Sequence, residues 1–310
     1  MRWERTERGL RALAPAKVNL FLEVGPRRGD GYHEIDSVFE AITLYDEIEF
    51  EPTGDGSIAL EESGIAEGEK NLVVRAARAL RDAALPGRAV GARIRLRKRI
   101  PAGAGLGGGS SDAAAALLAL ARLWEARVSA EDLRELAASL GSDVPFFLVG
   151  GIARCRGRGE IVESWAQVPG AGEPFHYVLV YPRRKLSTKE MYAALDAARA
   201  EGRALTPPSP LDSMPPVEFL DRWRRGAFAR NRFEDVAYAL FPELRELRDR
   251  LRREPFVSVL LSGSGSTVYG STPSVEEAER IAAGLRERLD MDIFVASNEP
   301  ASGGGLACGP

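Results

Sequence analysis

P-A-G-A-G-L-G-G-G-S-S-D-A-A-A-A, running from Pro101 to Ala116, is the stretch on which the reading of this chain turns. Five of the seven residues from 103 to 109 are glycine, so the backbone is free to enter conformations closed to other residues and no side chain bars a bulky ligand. Ser110, Ser111 and Asp112 then give way to an alanine run, so the loop is expected to deliver its N–H groups at the start of a helix. Upstream, Ile94, Leu96 and Ile100 alternate with Arg93, Arg95, Arg97 and Arg99, which predicts a half-exposed strand entering the loop. Strand, glycine loop and helix start together outline a phosphate site, where a flexible linker would lack both flanks. No lysine precedes Ser110, so this is not a Walker A loop, and Pro101 with the unbroken glycines fits a dinucleotide fingerprint poorly.

Composition sets broad limits. At 310 residues the chain has room for two domains of about 150 residues each, and 45% hydrophobic with 28% charged residues is ordinary for a globular protein. A net charge of −3 gives no electrostatic reason to expect nucleic acid. The only cysteines are Cys155 and Cys308, so a disulfide framework is not expected and a reducing cytoplasm is. No apolar run approaches the length of a membrane span.

Residues 1–13 read as a flexible charged extension. In A-P-A-K-V-N-L-F-L-E-V, from Ala14 to Val24, alternation predicts a strand with Val18, Leu20 and Leu22 on one face and Lys17, Asn19 and Phe21 on the other. A lysine so placed is more commonly a solvated edge residue than a catalytic one. Strands are expected near 41–51 and 57–61, and a helix from an Asn71 cap to about Leu85. Another helix should run from a Ser129 cap to Gly141. Asp143 follows in L-G-S-D-V-P-F-F, with Pro145 holding Val144 extended. On spacing alone this carboxylate is more often a helix cap than a catalytic group, though its apolar neighbours favour partial burial.

Glu163 to Pro174 is the candidate domain boundary. Beyond it come a strand (175–181), a helix (188–199), a Pro-rich insertion (206–216), a helix (231–252), two strands around the turn S-G-S-G-S at 262–266, a helix (274–289) and a last strand (292–296). Without the insertion this is the β-α-β-β-α-β order of ferredoxin-like domains. Gly263 and Gly265 are expected to form the hairpin and also to offer N–H groups to phosphate. His176 reads as structural, and the tail is expected to be flexible.

Three segments, A-P-A-K-V-N-L-F-L, P-A-G-A-G-L-G-G-G-S-S and L-S-G-S-G-S, occur in the order found in the GHMP kinases, and the chain resembles that superfamily of small-molecule kinases over about 14–297. R-R-G-D-G-Y-H-E-I-D-S-V-F, K-N-L-V-V-R-A-A and L-G-S-D-V-P-F-F narrow the resemblance to the branch acting on a cytidine-diphosphate-linked methylerythritol in the non-mevalonate isoprenoid route. The resemblance implies an α+β fold: a ribosomal-S5-like α/β domain (14–166) that binds ATP, a ferredoxin-like domain (167–298), and a flexible tail (299–310), with the site in the cleft between the domains. It implies transfer of the ATP γ-phosphoryl group to the tertiary 2-hydroxyl of the polyol, with Mg²⁺. Lys17 and Asp143 match the catalytic pair, Asp143 as base and Lys17 as its charge partner. Pro101, Ala102, Gly103, Ala104, Gly105, Leu106, Gly107, Gly108, Gly109, Ser110 and Ser111 match the ATP-phosphate loop. Asn19, Tyr32, His33, Phe39 and Asp143 match substrate positions, and Tyr192 an aromatic position that stacks on the cytosine. No glutamate stands out as a metal ligand, which leaves Mg²⁺ to phosphate and water, helped by Ser110 or Ser111. Arg183, Arg184 and Lys185 either contact the substrate diphosphate or are solvated. A small-molecule substrate is implied, with neither nucleic acid nor membrane as partner, in a monomer or homodimer. The competing readings are another kinase of the superfamily, such as a homoserine or sugar kinase, and a non-catalytic nucleotide- or RNA-binding module.

Overall fold

Two long apolar runs flank the R-R-G-D-G-Y turn, and in the computed structural model, which describes residues 1–62, 70–202 and 211–299, they pair with each other. β1 (Arg2–Arg5), β2 (Leu10–Arg27) and β3 (His33–Thr53) form an antiparallel meander. The first thirteen residues are thus largely a strand hairpin rather than a flexible extension: Arg2 to Arg5 pair with Leu13 to Leu10, and Leu10 and Ala12 are buried in the core. β4 (Ile58–Glu62), α1 (Leu72–Ala84) and β5 (Gly91–Arg97) follow, β5 lying antiparallel to β3 and parallel to β4. The expected arginine-faced strand is β5, and its solvent face is neutralised by carboxylates: Arg95 reaches Glu49, Glu51 and Glu61.

α2 (Gly108–Leu123), α3 (Ala130–Leu140) and α4 (Val144–Val149) come next, then β6 (Ile152–Gly157) against β3 and β7 (Ile161–Ser164) against β6. α2 is buried almost throughout, since four consecutive alanines and the leucines behind them let it sink between the sheet and α1. α1 and α3 have the predicted caps, Asn71 and a Ser129–Asp132 capping box. Val144, however, is helical rather than extended: Pro145 stands in the first turn of α4, where its missing N–H costs no hydrogen bond.

The remaining chain supplies β8 (His176–Tyr181), α5 (Thr188–Ala200), α6 (Pro216–Arg224), β9 (Arg230–Asn231), α7 (Glu234–Leu240), α8 (Pro242–Leu251), β10 (Ser258–Leu261), β11 (Val268–Thr272), α9 (Val275–Arg288) and β12 (Asp292–Ser297). Its sheet runs β10-β11-β8-β12, antiparallel throughout. The helix expected over 231–252 is two helices, broken where Pro242 cannot donate to the preceding turn. α6 was not foreseen. It packs Phe219 and Trp223 into the core beneath β2, where the Trp223 indole donates to Leu20 O at 3.0 Å, and β9 then pairs parallel with β2. The second half of the chain therefore returns to the first sheet. Residues 206–210 of the Pro-rich insertion and 300–310 of the expected tail lie outside the described residues. Glu299 is held by Arg2 and Tyr45 and is buried rather than flexible. The whole is an α+β fold with one mixed sheet and one antiparallel sheet, and no described helix is long and apolar enough to cross a membrane.

Candidate active site

The glycine loop takes its shape from backbone that needs glycine. Gly105 has φ +81° and Gly107 φ +71°, and a Cβ on Gly105 would lie 2.0 Å from Ser262 O. That approach exists because the second glycine turn docks on the first: Ser262 Oγ donates to Gly105 O (3.0 Å) and Thr267 N to Ala104 O (3.2 Å). Gly263, Ser264 and Gly265 line the same cleft, but the N–H of Gly263 goes to Asn19 Oδ1 and that of Gly265 to Ser262 O, so these two donors hold the turn and not a phosphate.

α2 begins at Gly108, with Gly107 in the left-handed cap position. Its first intrahelical bond runs from Ser111 N to Gly107 O, which leaves the N–H groups of Gly108, Gly109 and Ser110 without acceptors inside the helix. They concentrate positive potential at the helix start, a ready anion seat. The cleft in front of it encloses about 840 Å³, and Pro101 through Ser110 line it. Ser111 does not. Being a full turn into the helix, it points into the core, fully buried, with its hydroxyl lacking a partner.

β2 brings in the lysine. Alternation breaks at Leu20, where the pairing slips between Asn19/Phe39 and Phe21/Val38. This bulge moves Phe21 to the cluster of Val18 and Leu20 and sends Leu22 to the opposite one, so the predicted faces hold only up to Leu20. Lys17 is buried, not a solvated edge residue. Its Nζ donates to Asn19 Oδ1 (2.6 Å), lies 3.9 Å from Asp143 Oδ2 and stands 4.6 Å over the ring of Phe39. Burial lowers the Lys17 pKa below the usual lysine value, and the Asp143 charge opposes that shift.

Asp143 enters from the turn between α3 and α4. It occupies the cap position of α4 with helical backbone angles, yet its side chain makes no capping hydrogen bond. The carboxylate instead faces the cleft beside Lys17, with 31% of its side chain exposed.

The far end of the cleft is aromatic. His33 stacks on Tyr192 of α5 (4.7 Å between centroids, 19° between planes), and Tyr192 meets Phe233 edge-on at 5.0 Å. Burial, with the Asp143 charge adding, pushes the Tyr192 phenol up to about 12. Tyr32 is half exposed at the rim, with the Arg158 guanidinium 5.0 Å over its ring. The expected catalytic pair, Asn19, Tyr32, His33, Phe39, Tyr192 and the loop from Pro101 to Ser110 all line this cleft; Ser111 does not. Arg183 pairs with Asp290 and Asp292, and Arg184 with Glu243, so both are turned to surface carboxylates and neither lines the cleft. Lys185 lays its aliphatic stem against Gly103.

Two groups went unrecognised. Asp196, one turn beyond Tyr192, holds His33 Nε2 at 2.8 Å, and no sequence spacing links residues so far apart. Lys98 bridges Asp46 and Asp112 (2.6 Å to Asp112 Oδ2), and Asp46 also accepts from the N–H groups of Arg99 and Ile100. This clamp ties β3 and the loop entrance to the first turn of α2. Burial, then the Asp46 charge against the countering Lys98, raises the Asp112 pKa to about 8. A lysine standing at position 98, where the apolar alternation of Ile94, Leu96 and Ile100 calls for a hydrophobic residue, was the signal available in the sequence.

Among the described residues no group of three or more His, Cys, Asp or Glu is placed to hold a metal ion. Ser110 is the loop hydroxyl that lines the cleft.

Residues 71–151 match the family model for the GHMP kinases N terminal domain and 217–290 that for the GHMP kinases C terminal domain. The 4-diphosphocytidyl-2-C-methyl-D-erythritol kinase of Pelotomaculum thermopropionicum is 42% identical over 290 residues, 92% of this chain and 96% of the relative. That of Thermus thermophilus is 43% identical over 274 residues, covering 88% and 92%. A crystal structure of 4-(cytidine 5'-diphospho)-2C-methyl-D-erythritol kinase superimposes with TM-score 0.76 at 40% identity, covering 93% of this chain and 98% of that one. Homoserine kinase from Cytophaga hutchinsonii, at 15% identity and TM-score 0.69, shares the fold. At such identity over nearly its whole length, the chain belongs to the 4-diphosphocytidyl-2-C-methyl-D-erythritol kinase family of the GHMP superfamily, ATP-dependent phosphotransferases acting on a small polyol.

Proposed function

We propose that this protein transfers the γ-phosphoryl group of ATP to the 2-hydroxyl of 4-diphosphocytidyl-2-C-methyl-D-erythritol, a step toward isoprenoid precursors, in the reducing cytoplasm. One observation carries the reading: the Lys17 ammonium and the Asp143 carboxylate meet in a single cleft, between a helix start lined by glycine and an aromatic end. A nucleotide tail suits the first boundary and a flat base the second, with the chemistry between them.

A tertiary alcohol is a weak, crowded nucleophile. Asp143 orients the hydroxyl and takes its proton as the phosphoryl group arrives. Lys17 sits beside that carboxylate as its charge partner and offsets charge on the transferring group, while Asn19 and the Phe39 ring hold the ammonium in place. Phosphoryl transfer runs through a loose transition state, so alignment counts for more than the strength of the base. The N–H groups of Gly108, Gly109 and Ser110 hold phosphate oxygens. Mg²⁺, when bound with ATP, neutralises those oxygens, and Ser110 is the side chain of this loop suited to help hold it. His33, Tyr32 and Tyr192 receive the cytosine.

We also keep the division into 14–166 and 167–298. The two family models fall on either side of it, and the strand order of the second sheet supports a ferredoxin-like reading of that half. The test is a phosphorus NMR assay with ATP, Mg²⁺ and a panel of alcohols. We expect phosphorylation of the cytidyl polyol alone; turnover of homoserine or mevalonate without it would overturn the proposal.

A further inference from the structure

His33 lines the cleft at its aromatic end and is 7% exposed. Its Nε2 lies 2.8 Å from Asp196 Oδ1, and an ionised carboxylate only accepts hydrogen bonds, so in the neutral ring Nε2 carries the proton. Nδ1 is then a bare acceptor. It has no hydrogen-bond partner among the described residues, yet it is absent from their sealed, unpartnered polar atoms, so it keeps access to the cleft. Stacking on Tyr192 fixes the plane of the ring. Asp196 is itself steadied: Arg199 Nη1 stands 3.9 Å from it and donates to Gly25 O at 2.8 Å, anchoring α5 to the end of β2.

The pyrimidine bases differ at the edge such an acceptor would read. Cytosine offers an exocyclic amine that donates, whereas uracil offers at the same position a carbonyl that only accepts. A ring nitrogen held as acceptor welcomes the first and sets lone pair against lone pair with the second. A ring free to change tautomer makes no such distinction, since a protonated Nδ1 donates to the uracil carbonyl.

Resting on the cytidyl substrate proposed above, we infer that Asp196 is a positioning residue for base selection, which holds His33 in the Nε2–H form so that Nδ1 accepts from a cytosine amine and rejects uracil. It acts through His33 and does not touch the reacting atoms. The arrangement accounts for a carboxylate in the wall of a cleft meant for a polyanion, where an uncommitted negative charge would oppose binding.

The chain has only two histidines, His33 and His176, so nitrogen-15 histidine labelling of the full-length protein yields two ring patterns. At about pH 8.5, where an ordinary imidazole is neutral, wild-type His33 is expected as the Nε2–H form. Asp196→Ala should mix the tautomers, and Asp196→Asn, whose amide oxygen still accepts, should largely preserve the form. A wild-type ring protonated at Nδ1, or one unaltered by Asp196→Ala, overturns the inference without reference to any substrate. Steady-state kinetics with cytidine- and uridine-diphosphate methylerythritol give the second arm. Asp196→Ala should raise KM for the cytidine substrate about tenfold and lower the cytidine-over-uridine preference about tenfold, with kcat and the KM for ATP within about twofold of wild type. An unchanged preference overturns the inference. Wild-type protein that turns over neither substrate sinks the proposed function instead, and the ring spectra still judge Asp196.

Discussion

The two ends of the cleft are built on opposite principles. At the end proposed to take phosphate the cleft surface is main chain: a helix start, a left-handed Gly107 and a Gly105 pressed against Ser262 O. At the end proposed to take the base it is side chain, with His33 from β3 and Tyr192 and Asp196 from α5 meeting only in the folded molecule. Phosphate is one shape in every nucleotide, so rigid main-chain donors serve it. A base must be told from its relatives, which takes side-chain groups of defined donor and acceptor character. Lys17 and Asp143 stand where these two constructions meet.

The largest expected effect falls at that junction. Asp143→Asn preserves shape but removes the proposed proton acceptor, and turnover should drop about 10³-fold while KM for ATP stays within about twofold. A comparable loss of ATP affinity would show that the carboxylate belongs to the phosphate end. Next is Gly105→Ala, whose Cβ has nowhere to go beside Ser262 O. Separating the two glycine turns should cost about 2–4 kcal/mol, read from urea unfolding, and weaken ATP binding; a neutral result would mean that the turns do not need each other. Tyr192→Ala should raise KM for the cytidyl polyol about tenfold, with the KM for ATP unchanged, so a matching rise for ATP would erase the distinction between the ends.

The smallest effect concerns the clamp beneath the phosphate end. Asp112 has a folded pKa of about 8 against an ordinary 3.8. Between those values the folded chain binds a proton that the unfolded chain has released, so stability falls as pH rises through that window. Asp112→Asn should flatten this fall in thermal unfolding measured between pH 5 and pH 8. A slope as steep as wild type would remove Asp112 from the account.

Legibility in the sequence followed the same divide. The phosphate loop, the strand before it and the helix behind it are contiguous, so residue spacing alone outlined them. Lys17 and Asp143 could be singled out but not assigned, because a strand lysine and a carboxylate ahead of an apolar run each have commoner structural roles. Resemblance raised them, and the fold placed them 3.9 Å apart. Asp196 had no local signal at all, and neither did α6 or the return of β9 to the first sheet. Where local rules misled, a second local constraint prevailed: the bulge at Leu20 exchanged the faces of Phe21 and Leu22, and Pro145 opened a helix in place of an extended segment.

Sequence by itself determined what depends on neighbours along the chain: where backbone is left bare, where helices are capped, and that a glycine-lined helix start follows the arginine-faced strand. Only the tertiary structure decided which charges meet, because Asp143 reaches Lys17 and Asp196 reaches His33 from more than a hundred residues away along the chain. Burial and electrostatic pairing act through space, and their strength depends on separations that spacing along the chain does not encode.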